Sequence, residues 1–249
     1  MATAAASKPV LHSAAGAYDR VFYSSMAIAM ALTVLIGFGP TFYLKALGGG
    51  PMITVNGLLF TPLVHLHGVL FTGWVVLFIA QTALVASHRV AVHRRMGIAG
   101  GLLAALMTTV GTATVIKGAA RGVASPGADP LVFMAIPLFD MLLFPAFVGA
   151  ALWLRADKEA HKRLMLLAYI SIIAAAVLRL PGVAPLGPFG SFGLAFIFLL
   201  AAVIYDLVTR RLVHAAYIWG GALLVGSVPL RLMASGTQAW RAFAEFVTR

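Results

Sequence analysis

The chain is predicted to be all-α, an integral membrane bundle of about seven transmembrane helices with the N-terminus cytoplasmic and the C-terminus outside, ending in a short interfacial helix. Three observations predict it. Seven apolar runs follow one another with little polar sequence between them. Hydrophobic residues make up 61% of the 249 and charged residues only 10%, a balance that no soluble domain of this length could cover with polar surface. The basic residues gather in alternate connections, as the positive-inside rule requires of a multi-span chain.

The runs are Phe22–Leu47, Phe60–Ala86, Met96–Lys117, Leu131–Leu154, Leu164–Leu180, Gly190–Thr209 and Ala215–Met233. At ~1.5 Å rise per residue, runs of ~20 residues cross a ~30 Å hydrocarbon layer, and the fifth is the shortest. Residues 1–20 are small and polar and read as a flexible tail; they lack an apolar h-region, so no cleavable signal peptide is expected. Residues 21–234 read as one transmembrane domain, because no linker rich in proline or serine divides them. Gly48-Gly49-Gly50-Pro51, Ser125-Pro126-Gly127 and the prolines at 181, 185 and 188 break helix at the outer face. In residues 235–249, Trp240, Phe243 and Val247 recur at helical spacing, the pattern of a helix lying along the outer membrane surface.

Topology follows from charge. Lys8 and Arg20 precede the first span, Arg89, Arg94 and Arg95 separate the second and third, Arg155, Lys158, Lys162 and Arg163 separate the fourth and fifth, and Arg210 and Arg211 follow the sixth. These groups share one side, which is expected to be the cytoplasmic side of a bacterial inner membrane. The outer connections carry fewer charges: Lys45, Lys117, Arg121 and Asp129. The net charge of +11 is spread over span ends and forms no stripe with interleaved aromatics, so the partner it implies is the lipid bilayer and not nucleic acid. Cysteine is absent, which excludes disulfides, thiolate ligands, iron–sulfur clusters and a cysteine nucleophile.

Candidate chemistry lies in ionisable groups at membrane depth, which cost several kcal/mol unless paired or hydrated. His65 and His67 enter the second span near the outer surface and point about 200° apart at ~100° per residue, so an unbroken helix cannot aim both at one small ion. His67 aligns with Trp74 and Gln81; His65 aligns with Gly68 and Thr72. They read either as helix-to-helix hydrogen bonds or as metal ligands, haem ligands or proton carriers. Asp140, between Pro137 and Pro145 on the fourth span, is the candidate catalytic or proton-carrying group, and by depth its expected partners are His65 and His67. Lys117, Arg179 and Arg231 are expected to end their spans on the outer side as snorkelling or entrance charges. His93, His161 and His214 stand near span starts on the inner face, where histidines of two facing helices can hold haem b or a divalent metal. His93-Arg94-Arg95-Met96 and His161-Lys162-Arg163-Leu164 echo one another, and Asp206 and Arg210 are spaced for an interfacial ion pair.

Val64-His65-Leu66-His67-Gly68, Val92-His93-Arg94-Arg95-Met96-Gly97, Pro137-Leu138-Phe139-Asp140, His161-Lys162-Arg163-Leu164-Met165 and Tyr205-Asp206-Leu207-Val208-Thr209-Arg210 resemble runs in uncharacterised multi-span bacterial membrane proteins. That resemblance covers nearly the whole chain and implies no reaction. The His-Arg-x-x-Gly start of the third span is also similar to cytochrome b561-like proteins, though a second histidine deep in a facing helix is lacking for either leaflet. Three functions are therefore expected to compete: a redox protein with haem b or a histidine-bound metal, exchanging electrons with quinone; a proton- or ion-coupled transporter; and an accessory subunit of a membrane complex. Phosphate-binding glycine loops, nucleophile elbows and His-Glu-x-x-His are absent.

Overall fold

The computed structural model describes residues 10–44, 62–124 and 127–249. Among them are seven helices long and apolar enough to cross a membrane: Tyr18–Tyr43, Pro62–Ala86, Val90–Ala120, Pro130–Trp153, Lys158–Val177, Ala184–Arg210 and Ala215–Ser235. No strand occurs among the described residues. This is the architecture hydrocarbon imposes, since a helix satisfies its own backbone within one segment. The seven match the seven apolar runs, and the fifth starts at Lys158, six residues before its apolar run. The turns of Gly48–Pro51 and Ser125-Pro126, together with Lys45 and Lys8, lie outside the described residues.

Local chemistry explains the irregular ends. The helix that becomes the first span is already running at Val10, inside the stretch read from sequence as tail, and it ends in a wide π-turn over Gly39–Tyr43 that contains Pro40. The fourth span begins with one turn, Pro130–Phe133, capped by Asp129, whose Oδ1 accepts from the Leu131 amide at 2.8 Å. It breaks at Met134 and resumes as Ala135–Trp153. Pro137 sits in the first turn after the break, where a missing N–H is tolerated, so the interruption precedes the proline instead of following it. The C-terminal helix, Gln238–Val247, lies against that first turn: Trp240 donates its indole N–H to the Leu131 carbonyl at 2.8 Å, and Trp240 and Val247 pack around Ala119, Met134 and Ala244.

The fifth span is the hub. It packs against the first, fourth, sixth and seventh, and 72% of its most apolar window is buried, against 17% to 44% in the other six. Small residues allow the close approach. A Cβ on Gly37 would collide with the Ala176 carbonyl, so the first span rides directly on the fifth span's backbone.

Charge fixes the inner end. Arg163, fully buried, grips Asp206 on the sixth span through Nε at 2.9 Å and Nη2 at 2.5 Å. Its Nη1 donates to the Glu159 carbonyl and carboxylate at 2.8 and 2.7 Å, and the His214 backbone N–H donates to Asp206 at 3.1 Å. Asp19 on the first span receives Lys162 at 2.6 Å, Arg210 at 2.8 Å and the Tyr205 hydroxyl at 2.7 Å. Three acids thus neutralise three bases across three spans, and the His214 backbone ties in the seventh. The spacing of Asp206 and Arg210 suggested a simple pair on one helix. That pair exists at 3.6 Å, but the shorter and bidentate partner of Asp206 is Arg163.

Removing one member of a buried pair leaves an uncompensated charge, so Arg163→Met or Asp206→Asn should each lower stability by ~3–5 kcal/mol, while Arg163→Met combined with Asp206→Leu should recover much of the loss. Thermal unfolding in detergent, followed by tryptophan fluorescence, measures this. Gly37→Val should also destabilise, whereas Gly149→Ala should not, because nothing lies within 4 Å of a Cβ at Gly149.

Candidate functional site

The second span carries an unusual wall. His67, Trp74 and Gln81 are spaced seven apart, so they drift little around the helix axis and form one stripe with ~10.5 Å between successive members. Each keeps a buried polar atom without a hydrogen-bond partner: His67 Nδ1, Trp74 Nε1 and Gln81 Oε1. Neighbouring spans add three more, Thr41 Oγ1 from the first, His93 Nδ1 from the third and the Tyr169 hydroxyl from the fifth. Trp74 is 2% exposed and Tyr169 1%, so neither reaches the surface.

Aromatic rings surround the stripe. His67 stacks on Phe71 at 4.0 Å, Trp74 meets the edge of Phe144 from the fourth span at 4.9 Å, and Phe78 meets Tyr169 at 5.0 Å. Near its outer end Tyr43 and Thr72 share a hydrogen bond of 3.0 Å, and Gly68 leaves room for the Phe42 ring. An unmet buried donor or acceptor costs ~1–3 kcal/mol, and native proteins carry few of them. Six occur among the described residues, three of them on the second span.

At the inner end the two echoing motifs meet. His93 and His161 come from the third and fifth spans with ring centroids 6.2 Å apart and planes at 86°. His161 Nδ1 lies 2.8 Å from the Ala151 carbonyl, which can only accept, so this nitrogen donates and Nε2 points away from that contact. Gln81 Nε2 donates to the His93 carbonyl at 3.3 Å. The rest of the echo diverges: Arg163 is buried, whereas Arg94 and Arg95 are exposed. His214 sits apart in role, since its Nδ1 caps the seventh span by accepting from the Ala216 amide at 3.1 Å.

The outer half differs from the sequence expectation. Asp140 does not pair with His65 or His67; its partner is Arg231, at 2.6 Å. Arg231 is no entrance charge either. It is 1% exposed, and beyond Asp140 it donates to the Ile136 carbonyl at 3.1 Å, the Ser227 carbonyl at 3.2 Å and the Ser227 hydroxyl at 2.8 Å. Its guanidinium also lies over Phe192, 4.8 Å from the centroid. The reason is that a carboxylate in the bundle binds a guanidinium with several donors more strongly than a neutral imidazole. Arg179 and Lys117 do stand exposed at their span ends, Arg179 donating to the Ala175 carbonyl at 2.6 Å and lying over Phe38. His65 lies on the exposed side of its helix and His67 on the packed side, as 100° per residue requires. No group of three histidine, aspartate or glutamate side chains able to hold a metal forms among the described residues.

Two hollows among the described residues are a groove of about 290 Å³ between Phe139, Leu142, Leu223 and Leu230 and one of about 220 Å³ beside Thr33, Leu180, Leu194 and Phe198, and no histidine lines either.

Comparison of the chain with protein-family models, with curated proteins and with solved structures finds no match. The site is therefore read from its own chemistry.

Tyr169→Phe deletes an unmet hydroxyl with little change of shape and should melt at or above the wild-type temperature in detergent, a gain of up to ~1–3 kcal/mol. A loss of stability would mean that the hydroxyl is hydrogen-bonded in the folded protein.

Proposed function

We propose that the protein is a membrane-embedded proton carrier whose pathway runs along the His67, Trp74 and Gln81 stripe of the second span. The observation that carries this reading is the row of three unmet polar atoms, His67 Nδ1, Trp74 Nε1 and Gln81 Oε1, spaced seven residues apart on the second span, with three more on the first, third and fifth spans. In hydrocarbon such groups persist where water or a ligand completes them. A gap of ~10.5 Å between side chains is bridged by about three waters at ~2.8 Å per hydrogen bond.

The residue types suit protons. Imidazole can take a proton on one nitrogen and release it from the other, and the Tyr169 hydroxyl both donates and accepts. The Trp74 N–H and the Gln81 amide carry no proton themselves; they orient water. Phe71, Phe78 and Phe144 keep the wall narrow and apolar between the polar stations, a lining unsuited to a hydrated metal cation. The fixed charges near it, Asp140 with Arg231 and the inner network, are already paired, so the stripe carries no unpaired carboxylate that would hold a cation.

Reconstitution in liposomes with an internal pH dye tests this. A valinomycin-clamped potassium gradient should drive proton entry faster than in protein-free vesicles, and His67→Ala or Tyr169→Phe should slow it about tenfold, the loss expected when one acid–base group is removed from a ~10²–10⁴-fold contribution only partly replaced by water. Flux equal to that of empty vesicles, or unchanged in both variants, would remove the proposal.

A further inference from the structure

We infer that the inner end of the bundle binds a single first-row transition-metal ion, Cu(II) above others, between His93 and His161. The site shares Gln81 and His93 with the polar groups described above, but copper retention is measured without any proton flux, so the two readings fail separately.

The geometry points to an ion. With metal–nitrogen bonds of ~2.0–2.1 Å and ~1.1 Å from ring nitrogen to centroid, two imidazoles on one ion place their centroids at most ~6.4 Å apart. The observed 6.2 Å is just within that limit. A tetrahedral angle would bring the centroids to ~5.2 Å, so one ion shared by imidazoles 6.2 Å apart needs a wide, nearly opposed N–metal–N angle, which belongs to tetragonal ions. That preference is one reason for copper over zinc. The Irving–Williams order is the other.

The ligands are also prepared. His161 is held by the Ala151 carbonyl through Nδ1, the outer contact that orients a metal-binding imidazole and leaves Nε2 to bind. His93 has a buried Nδ1 without a partner. Gln81 is anchored through Nε2 to the His93 backbone carbonyl at 3.3 Å, and its Oε1 is buried and unmet. The ligand set has neither thiolate nor carboxylate, so it disfavours Mg(II) and Ca(II).

Neighbouring cations do not forbid it. Lys162 and Arg163 are committed to Asp19, Glu159 and Asp206. Arg94 and Arg95 are exposed to solvent.

The test uses full-length protein in detergent, without a polyhistidine tag, stripped with chelator and titrated with copper sulfate. One copper per chain should be retained, with an electron paramagnetic resonance spectrum split by imidazole nitrogens and a raised melting temperature. His93→Ala and His161→Ala should each abolish retention and the melting shift, whereas His88→Asn in the exposed loop should keep both. Wild-type melting of the stripped variants shows that they fold. Three results would overturn the inference: no copper retained, copper retained equally by the His93→Ala/His161→Ala double variant, or a haem absorption band that those substitutions remove.

Discussion

The grip of Arg163 on Asp206 is the contact on which the rest of the inner half depends. Neither ion survives alone in the bundle: the effective penalty for burying each is several kcal/mol, returned only when the geometry is close and the remaining donors are met. Here they are met, by Glu159 and by the backbone of His214. The pair sets how the fifth span stands against the sixth and ties the seventh to both. It also aims His161. Two residues apart on a helix is about 200°, so turning Arg163 toward the sixth span turns His161 the opposite way, onto the Ala151 carbonyl of the fourth span and toward His93.

Arg231 plays the matching part in the outer half. It joins the fourth and seventh spans through Asp140 and the Ile136 carbonyl, close to the break at Met134, where the backbone is irregular. Both clamps are self-contained. Their charges cancel locally and their hydrogen-bonding groups are largely used, whereas the uncharged stripe of the second span keeps unmet polar atoms. There the logic reverses: stability would favour apolar residues at Trp74 and Tyr169, yet polar ones stand there unmet. Such local departures from good packing are where natural proteins trade stability for function.

Part of this was legible beforehand. The alignment of His67, Trp74 and Gln81 follows from helical periodicity, and the opposed directions of His65 and His67 follow from the same arithmetic. The echo of His93 and His161 marked two helix starts that do meet. What could not be read was Asp140 with Arg231, 91 residues apart, or Arg163 with Asp206, 43 apart. Depth along the helices had paired Asp140 with histidines, because depth is visible in sequence and azimuth between helices is not. Tyr169 gave no signal either, being one aromatic among many in a buried span.

By itself the sequence determined that seven helices are long and apolar enough to span a bilayer, and where each span begins and ends within about six residues, although the first helix extends back to Val10. The reason is that hydrocarbon thickness and backbone hydrogen bonding leave few other solutions. Only the tertiary structure decided which ionisable groups cancel one another and which polar atoms remain unmet. Apolar helices of similar length can neighbour one another in many ways, and the choice is made by small-residue contacts such as Gly37 on Ala176 and by the directions of buried guanidinium groups.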